Sequence, residues 1–170
     1  MPQQPLRLLL TTPNLDTAGS KYILADLIRC LDRSAIRPSL CVHRRTYTAL
    51  EREMAGSVDE LLELPLRLPA RPVFALWQRA GEIAHELRGR FDIIQSFDYA
   101  SDWQEGLVAR RSGIPWIVVK TNLSWNRRWW LKSLLAQRIV TYSQQQYDLL
   151  YKGTVFAQKT SIIHVGIDLT

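Results

Sequence analysis

The sequence predicts an α/β domain of the Rossmann-like, doubly wound kind: a mostly parallel sheet of about seven strands with helices on both faces. Short apolar runs alternate with stretches of helical periodicity along the whole chain. This alternation implies right-handed βαβ crossovers, which make consecutive strands parallel. The chain has 170 residues, of which 46% are apolar, so it can bury one core of ordinary size. Because no segment has the composition of a linker, we expect residues 1–170 to form a single domain.

The strands are predicted from apolar runs bounded by turn residues. The first run, LRLLLTT at 6–12, is followed by Pro13 and Asn14, as expected of a strand that is covered on both faces. The other predicted strands are, in chain order, 36–43, 58–65, 91–97, 114–121, 137–143 and 159–168. Because parallel strands end at a common edge and ligands of such sheets bind beyond that edge, the loops after the strands form the candidate site.

The helices are predicted from apolar residues that recur at helical spacing. They are expected at 19–34, 46–55, 73–89, 101–113, 125–136 and 144–153. The residues expected to be buried in the first helix are Ile23, Leu24, Leu27, Ile28 and Leu31, and those in the third are Phe74, Trp77, Ala80, Ile83, Ala84 and Leu87. These stripes are expected to pack on the sheet.

The charge of the chain favours anionic partners. The net charge is +6, and 17 of the 22 basic residues are arginine. The planar guanidinium group suits bidentate binding of phosphate or carboxylate. Nucleic acid is not expected as a partner, because the arginines are spread along the chain and no RNP, KH or helix-turn-helix pattern is present.

Several other classes of protein are disfavoured by pattern. No apolar run approaches the ~20 residues of a membrane-spanning helix, and the first residues lack the layout of a signal peptide, so a cytoplasmic location is predicted. Cys30 and Cys41 have no CxxC spacing and are interpreted as reduced structural thiols. The histidines His43, His85 and His164 are scattered without metal-ligand spacing, so neither a metal nor a cofactor is expected.

The loop after the first strand, TPNLDTAGSK, contains neither the GxGxxG nor the GxxxxGK[ST] pattern, which disfavours a nucleotide cradle. Gly19 and Ser20 would stand at the amino end of a helix, where backbone amides can bind an anion or a sugar hydroxyl. Alternatively, Asp16 or Thr17 caps that helix. The first loop therefore has a binding and a structural interpretation.

Two later loops are open to the same two interpretations. Asp98 follows the fourth predicted strand and Ser143 the sixth, each directly before a helix. Either side chain could bind a substrate or cap the helix, and capping is the commoner role of these residue types there. No Ser/His/Asp or Cys/His set accompanies them, so no self-sufficient catalytic constellation is predicted.

Three segments of the chain together resemble family 4 glycosyltransferases. They are LRLLLTTPNLDTAGSKYILADLIRCLDRSAIRPSLCV, FDIIQSFDYASDWQEGLVARRSGIPWIVVKTN and AQRIVTYSQQQYDLLYKGTVFAQKTSIIHVGID, in the family's own order. The later family segments typically read DIIHAHD, GIPVVxTxHG, ADRIIAVS and IxVIxNGVD. Each motif alone encodes little more than strand, loop and helix, but the resemblance covers essentially the whole chain.

The resemblance implies the GT-B fold, in which an amino-terminal Rossmann-like domain binds the acceptor and a carboxyl-terminal one binds the nucleotide sugar. HVGID resembles the family's NGVD at the passage between the two domains. The chain is therefore expected to be the acceptor-binding half of a retaining glycosyltransferase, inactive without the absent donor-binding domain. The alternative is a non-catalytic binding or regulatory module that pairs with a separate donor-binding chain.

On this resemblance, hydrogen bonds from the loops at the strand ends would bind a carbohydrate or glycolipid acceptor. The residues expected there are Asp16, Thr17, Gly19, Ser20, Asp98, Thr121, Asn122 and Ser143. The family's double glycine falls on Ala18 and Gly19, and its histidine and glycine after the fifth strand fall on Thr121 and Asn122. No catalytic residue is therefore assigned, and a nucleotide sugar is expected as a cosubstrate that is bound mainly by the absent domain.

The stretch TNLSWNRRWWLKSLL, residues 121–135, contains three of the six tryptophans. On a helix over 125–136, the predicted core face consists of Trp130, Leu131, Leu134 and Leu135. The opposite, outward face consists of Trp125, Arg128, Trp129 and Lys132. Cations beside tryptophans suit contact with anionic headgroups, so this face is predicted to form the rim of the acceptor site and, as one hypothesis, to meet a membrane peripherally. The alternative is that the rings cover neighbouring loops or the other domain.

Overall fold

A computed structural model of the protein describes residues 4–16, 19–98 and 100–164. These residues form a seven-stranded sheet in the order β3-β2-β1-β4-β5-β6-β7, and every pairing is parallel. The strands are β1 (Leu6–Thr12), β2 (Ile36–Val42), β3 (Leu61–Glu63), β4 (Ile93–Ser96), β5 (Trp116–Lys120), β6 (Arg138–Thr141) and β7 (Thr160–Ile162). The predicted parallel, doubly wound sheet is confirmed.

Six α-helices connect the strands as the periodicity predicts. They are α1 (Gly19–Cys30), α2 (Ala49–Ala55), α3 (Val73–Leu87), α4 (Gln104–Ser112), α5 (Arg127–Leu135) and α6 (Gln144–Leu150). A 3-10 turn at Ala157–Lys159 precedes β7. The last predicted strand is shorter than 159–168, and residues 165–168 lie outside the described residues. Within the described part of the chain, no helix is both long and apolar enough to cross a membrane.

The helices cover both faces of the sheet. Alternate residues of each strand point to opposite sides, so both faces present apolar side chains to the helices. On β1, Leu8 and Leu10 pack in one core with α1 and α2, whereas Leu9 packs in the other with α3 and α4. The strand order reverses between β1 and β4. That reversal leaves a crevice at the carboxyl ends of the strands, where sheets of this topology bind their ligands.

Helix α4 approaches the sheet closely because position 106 is glycine. A Cβ built on Gly106 would lie 2.3 Å from an atom of the Trp116 ring, a distance that packed atoms do not adopt. The helix ends at Gly113, whose φ of 75° favours glycine. This close packing places the neighbouring Glu105 against the underside of β1, β4 and β5.

The prediction that Phe74 and Trp77 in the first turns of α3 are buried is wrong. Its buried stripe consists of Leu76, Ala80, Ile83, Ala84 and Leu87, of which the last four are as predicted. Phe74 and Trp77 are 78% and 54% exposed instead of buried. They lie on the flank of that stripe, where the guanidinium of Arg111 stacks 4.0 Å above the Trp77 ring. Cys30 and Cys41 are both free thiols, as predicted.

Candidate functional site

A pocket lies beyond the carboxyl ends of β5 and β6, next to the amino end of α1. We call it the carboxyl-edge pocket; its volume is about 410 Å³, and it is lined by Ser20, Ile23, Thr121, Asn122 and Tyr142. The sequence predicts Ser20, Thr121 and Asn122 as site residues, and the fold brings these three together from distant parts of the chain. Ile23 and Tyr142 were missed, although Tyr142 directly precedes Ser143 in a loop that the topology marks as important.

Among the other predicted residues of the first and sixth loops, those that the structure describes do not line this pocket. Gly19 begins α1 beside Ser20, with open space where a Cβ would stand. Asp16 is exposed, and its Oδ2 accepts a 2.7 Å hydrogen bond from the Asn14 amide. Thr17 lies outside the described residues. Ser143 has the structural role: it caps α6, accepting a hydrogen bond from the backbone N–H of Gln146.

Asp98 is neither a helix cap nor part of the pocket lining. Its side chain is 2% exposed, and α4 begins only at Gln104, too far along the chain to be capped by it. The carboxylate accepts hydrogen bonds of 3.0 to 3.4 Å from Arg67 and one of 2.8 Å from the backbone N–H of Ala100. Burial opposes ionisation, but Lys132, the Ala100 N–H and Arg67 together hold the pKa of Asp98 below its usual value.

The negative charge of Asp98 acts to raise the pKa values of both Lys21 and His43. The buried Lys21 ammonium, carried by α1, donates a hydrogen bond to Thr12 Oγ1 at the end of β1. Burial lowers the pKa of Lys21, and the Asp98 and Asp16 carboxylates oppose that shift. Burial also lowers the pKa of His43 to about 4, so this imidazole is neutral at pH 7.

Glu105 lies beneath the pocket edge and connects three neighbouring strands. Its Oε1 accepts a 2.5 Å hydrogen bond from Thr11 of β1 and one of 3.3 Å from the Trp116 indole of β5. Its Oε2 accepts a 2.9 Å hydrogen bond from Ser96 of β4. Complete burial raises the pKa of Glu105, and these donors partly offset that rise. Sequence reasoning missed this residue, because nothing in a helical EGLVA pattern distinguishes a buried glutamate from an exposed one.

The predicted orientation of the tryptophan-rich helix is wrong. Trp129 and Lys132, expected on the outward rim, are 1% and 0% exposed, whereas Trp130 and Leu134, expected in the core, are 47% and 50% exposed. Helix α5 has this orientation because the Lys132 ammonium donates hydrogen bonds to the backbone carbonyls of Asp98 (3.1 Å) and Ala100 (2.9 Å).

The turn that carries Lys132 inward also carries Trp129, whose ring lies 4.8 Å from the Lys132 Nζ. Trp125 and Arg128 do lie at the surface, as predicted. The outward face of α5 is therefore different from the expected one, although it still contains tryptophan and arginine.

A larger pocket, of about 610 Å³, lies at the opposite edge of the sheet, where the strands begin. Its basic residues already have carboxylate partners: Arg7 pairs with Asp92, Arg37 with Asp59 and Arg90 with Glu60. Because these charges neutralise one another and parallel sheets bind ligands at the other edge, we assign the site to the carboxyl-edge pocket.

No group of three or more His, Cys, Asp or Glu side chains in the described ranges could hold a metal ion. The site consists of neutral hydrogen-bonding groups above a layer of buried charges. Together, the fold and this pocket define a Rossmann-like domain with a candidate ligand site at the carboxyl edge of its sheet.

Comparison with known proteins identifies the family. The model of Glycosyltransferase Family 4 matches residues 18–170, so the chain belongs to glycosyltransferase family 4. No curated protein matches the sequence.

Several solved structures share the fold of this chain. The chain superposes on HepE from Anabaena in complex with UDP-glucose with a TM-score of 0.69 at 13% identity, covering 96% of this chain and 44% of HepE. For MurG from Acinetobacter baumannii the TM-score is 0.64 at 13% identity, covering 96% and 46%. For a glycosyltransferase from Rickettsia africae it is 0.71 at 15% identity, covering 98% and 44%. The chain thus spans less than half the length of each of these proteins.

We predict that the buried Asp98 carboxylate makes the free energy of unfolding depend on pH. Asp98→Asn keeps an acceptor for the Ala100 N–H but removes the charge that faces Arg67 and Lys132, so we expect a loss of about 3 kcal/mol at pH 7. Because the folded-state pKa is depressed, this contribution is fully present above about pH 4 and is lost as the pH falls through the folded-state pKa.

Urea denaturation of both proteins at pH 7 and pH 3 measures this effect, and the difference between them should shrink at the lower pH. The exposed Asp148→Asn on α6 is the control and should change the stability by less than about 0.5 kcal/mol. An equal cost for Asp98→Asn at both pH values would contradict the assignment.

Proposed function

We propose that this chain is the acceptor-binding half of a retaining glycosyltransferase, which transfers a sugar from a nucleotide sugar to a carbohydrate or glycolipid acceptor and is inactive without a donor-binding domain. One observation carries the proposal: in a chain of this family, residues from the first turns of α1 and from the loops after β5 and β6 meet in one pocket at the carboxyl edge of the sheet. Ser20, Thr121 and Asn122 supply its polar groups.

The lining of the pocket suits a sugar. The Ser20 and Thr121 hydroxyls can each donate and accept hydrogen bonds, as sugar hydroxyls do. Burial raises the pKa of Tyr142 to about 12, so its phenol stays protonated and can donate as well. Ile23 offers an apolar surface for the C–H face of a sugar ring. Such a mixture of a few oriented polar groups with apolar surface is typical of a small-ligand pocket.

The lining supports binding rather than acid–base chemistry. Among its five residues, none has a side chain that would exchange a proton near pH 7, and Thr121 occupies the position where the family commonly has histidine. Retaining enzymes of the family are thought not to need a protein base on the acceptor side. The pocket would therefore hold and orient the acceptor, while the donor half supplies the activated sugar.

The donor is proposed to be a nucleotide sugar, bound mainly by a second domain. HepE, which shares the fold, has been crystallised with UDP-glucose, and this chain covers 44% of HepE. The second domain could belong to the same protein or to a separate chain. We propose no metal or other cofactor for this half, and its cytoplasmic location remains a prediction from sequence.

Removing one pocket hydroxyl should weaken acceptor binding. Thr121→Val keeps the shape of the side chain but loses the hydroxyl, so we expect about fivefold to tenfold weaker binding of a glycoside that binds the wild type, with unchanged stability. A panel of methyl glycosides and short oligosaccharides, titrated by NMR, measures this. The matched control is Thr160→Val at the start of β7, on the opposite edge of the sheet. Equal affinities in all three proteins would contradict the site.

The same panel tests the half-enzyme hypothesis. With a nucleotide sugar and an acceptor that binds, the chain alone should produce no glycoside, and a protein that also contains the donor-binding domain should produce it. Transfer by the chain alone would contradict the proposal. Acceptor binding without transfer, even when a donor-binding domain is joined to the chain, would instead favour a non-catalytic module.

We further infer that the exposed face of α5 contacts an anionic membrane surface. Trp125 and Trp130 are 39% and 47% exposed and lie 6.4 and 6.0 Å from the Phe156 ring. Arg127 and Arg128, in the first turn of α5, are exposed beside them. We call these four exposed residues the tryptophan patch. Aromatic rings among cations match the apolar–polar boundary and the negative charge of anionic headgroups.

The tryptophan patch predicts selective binding to anionic vesicles. The chain should co-sediment with vesicles that contain phosphatidylglycerol more strongly than with neutral ones, and Arg127→Gln with Arg128→Gln should weaken this at least about tenfold, at roughly 1 kcal/mol per cation. Trp125→Ala with Trp130→Ala should weaken it as well. Phe74→Ala with Trp77→Ala, which removes exposed rings from α3, is the control. Equal binding to both kinds of vesicle, or none, would contradict the inference.

A further inference from the structure

Lys120, the last residue of β5, is a fully buried cation directly below the carboxyl-edge pocket. Its Nζ donates a hydrogen bond to Asn122 Oδ1 and lies 4.0 Å from the centre of the Trp129 ring. Thr141, the residue opposite it on β6, is also fully buried. Lys120 therefore lies behind the pocket wall, and Asn122 stands between its charge and the pocket.

The charge on Lys120 has no acidic counterpart among the described residues that acts on it. Burial and the neighbouring Lys132 of α5 lower its pKa to about 8, and no carboxylate raises it. Lys132 differs, because Asp98, Glu105 and Asp102 all act to raise its pKa. Asp98 and Asp16 do the same for Lys21. A buried ammonium without a counter-charge is costly, and an anion nearby would reduce that cost.

The orientation of the Asn122 amide is fixed by its neighbours. Oδ1 accepts hydrogen bonds from the Lys120 ammonium and from the backbone N–H of Ser124, the latter at 3.2 Å. The other end of the amide, Nδ2, is therefore a donor. With the hydroxyls of Ser20, Thr121 and Tyr142, the pocket lining contains donors and no carboxylate.

We propose that the carboxyl-edge pocket binds an acceptor that carries an anionic group, a phosphate or a carboxylate, which accepts hydrogen bonds from the pocket hydroxyls and is stabilised by the Lys120 cation behind them. The identity of this ligand as an acceptor rests on the proposed function. The anion preference itself rests on the charges and donors around Lys120. Donors backed by a cation bind oxyanions more strongly than neutral hydroxyls, because charge-assisted hydrogen bonds are stronger.

The test is an NMR titration of the chain at pH 7 and constant ionic strength. The probes are methyl glucoside, glucose 1-phosphate, glucuronate and inorganic phosphate, and the signals followed are the Asn122 side-chain amide and the Trp129 indole, which lies against Lys120. We expect the two anionic sugars to bind at least about tenfold more tightly than methyl glucoside, which corresponds to one charge-assisted hydrogen bond. Inorganic phosphate separates binding of the anion alone from binding of the sugar.

Lys120→Met keeps the length of the side chain without its charge and should abolish the preference for anionic sugars, measured as the ratio of the affinities for glucose 1-phosphate and methyl glucoside in the same variant. Lys152→Met, which removes an exposed lysine of the segment after α6, is the matched control and should keep the preference. Retention of the preference in Lys120→Met would overturn the role of Lys120.

A pH series on the wild type keeps the proposal testable if Lys120→Met does not fold. A phosphate monoester has its second pKa near 6 and is largely dianionic at both pH 7 and pH 9. Since Lys120 titrates at about 8, a tenfold preference of the anionic sugar for the protonated lysine predicts that the affinity for glucose 1-phosphate falls about fivefold between these pH values, while that for methyl glucoside stays constant.

The outcomes separate the two proposals. If methyl glucoside binds in the pocket and the anionic sugars bind no more tightly, the anion preference is wrong and the acceptor site stands. If no sugar probe, neutral or anionic, perturbs the pocket signals, both fail. If inorganic phosphate binds as tightly as glucose 1-phosphate, the site recognises the anion and not a sugar acceptor.

Discussion

The arrangement of the three central strands depends on the hydrogen bonds that the buried carboxyl group of Glu105 accepts from them. It accepts hydrogen bonds from Thr11, Ser96 and Trp116, which belong to three adjacent strands of the sheet. A buried carboxyl group stabilises a fold only when its oxygens are satisfied, so the three donors must keep their relative positions. Gly106 makes this possible, because only a glycine allows α4 to approach Trp116 so closely.

A second set of contacts connects helix α5 and the loop before α3 to the loop after β4. Lys132 of α5 donates to the carbonyls of Asp98 and Ala100, which joins α5 to the loop after β4. Arg67 binds the Asp98 carboxylate from the loop before α3. The loop that contains Thr121 and Asn122 is thus held between β5, fixed in the sheet, and α5, fixed by Lys132. Buried charges outside the pocket lining thus hold the walls of the candidate pocket in place.

These buried charges also explain which features could be predicted from sequence. The strands follow from apolar runs bounded by turn residues, and the structure places one strand within each predicted run. Helix α5 shows where this reasoning fails. Lys132 has the hydropathy of a surface residue, and only the two carbonyl acceptors supplied by a distant loop make its burial favourable. With Lys132 turned inward, Trp129 is buried and Trp130 is exposed, opposite to the periodicity.

The candidate site could be predicted in the same partial way. Ser20 follows from the fold class and the rule that ligands bind beyond the carboxyl ends of the strands, whereas Thr121 and Asn122 were named from the resemblance to the glycosyltransferase family. Asp98 fits that rule as well, but a long-range pairing with Arg67, invisible in the local sequence, buries its carboxylate. Similarly, no local pattern identifies Lys120 as a cation on which no carboxylate of the described residues acts.

The central claim is that the acceptor of a glycosyl transfer binds at the carboxyl edge of this sheet. A crystal structure of the chain with a bound oligosaccharide, chosen from a glycan array by its affinity, tests it most directly. We predict that the sugar lies against Ser20, Thr121 and Asn122, with Tyr142 closing one side. A sugar bound instead in the larger pocket at the opposite edge, beside Arg7 and Arg37, would contradict the account.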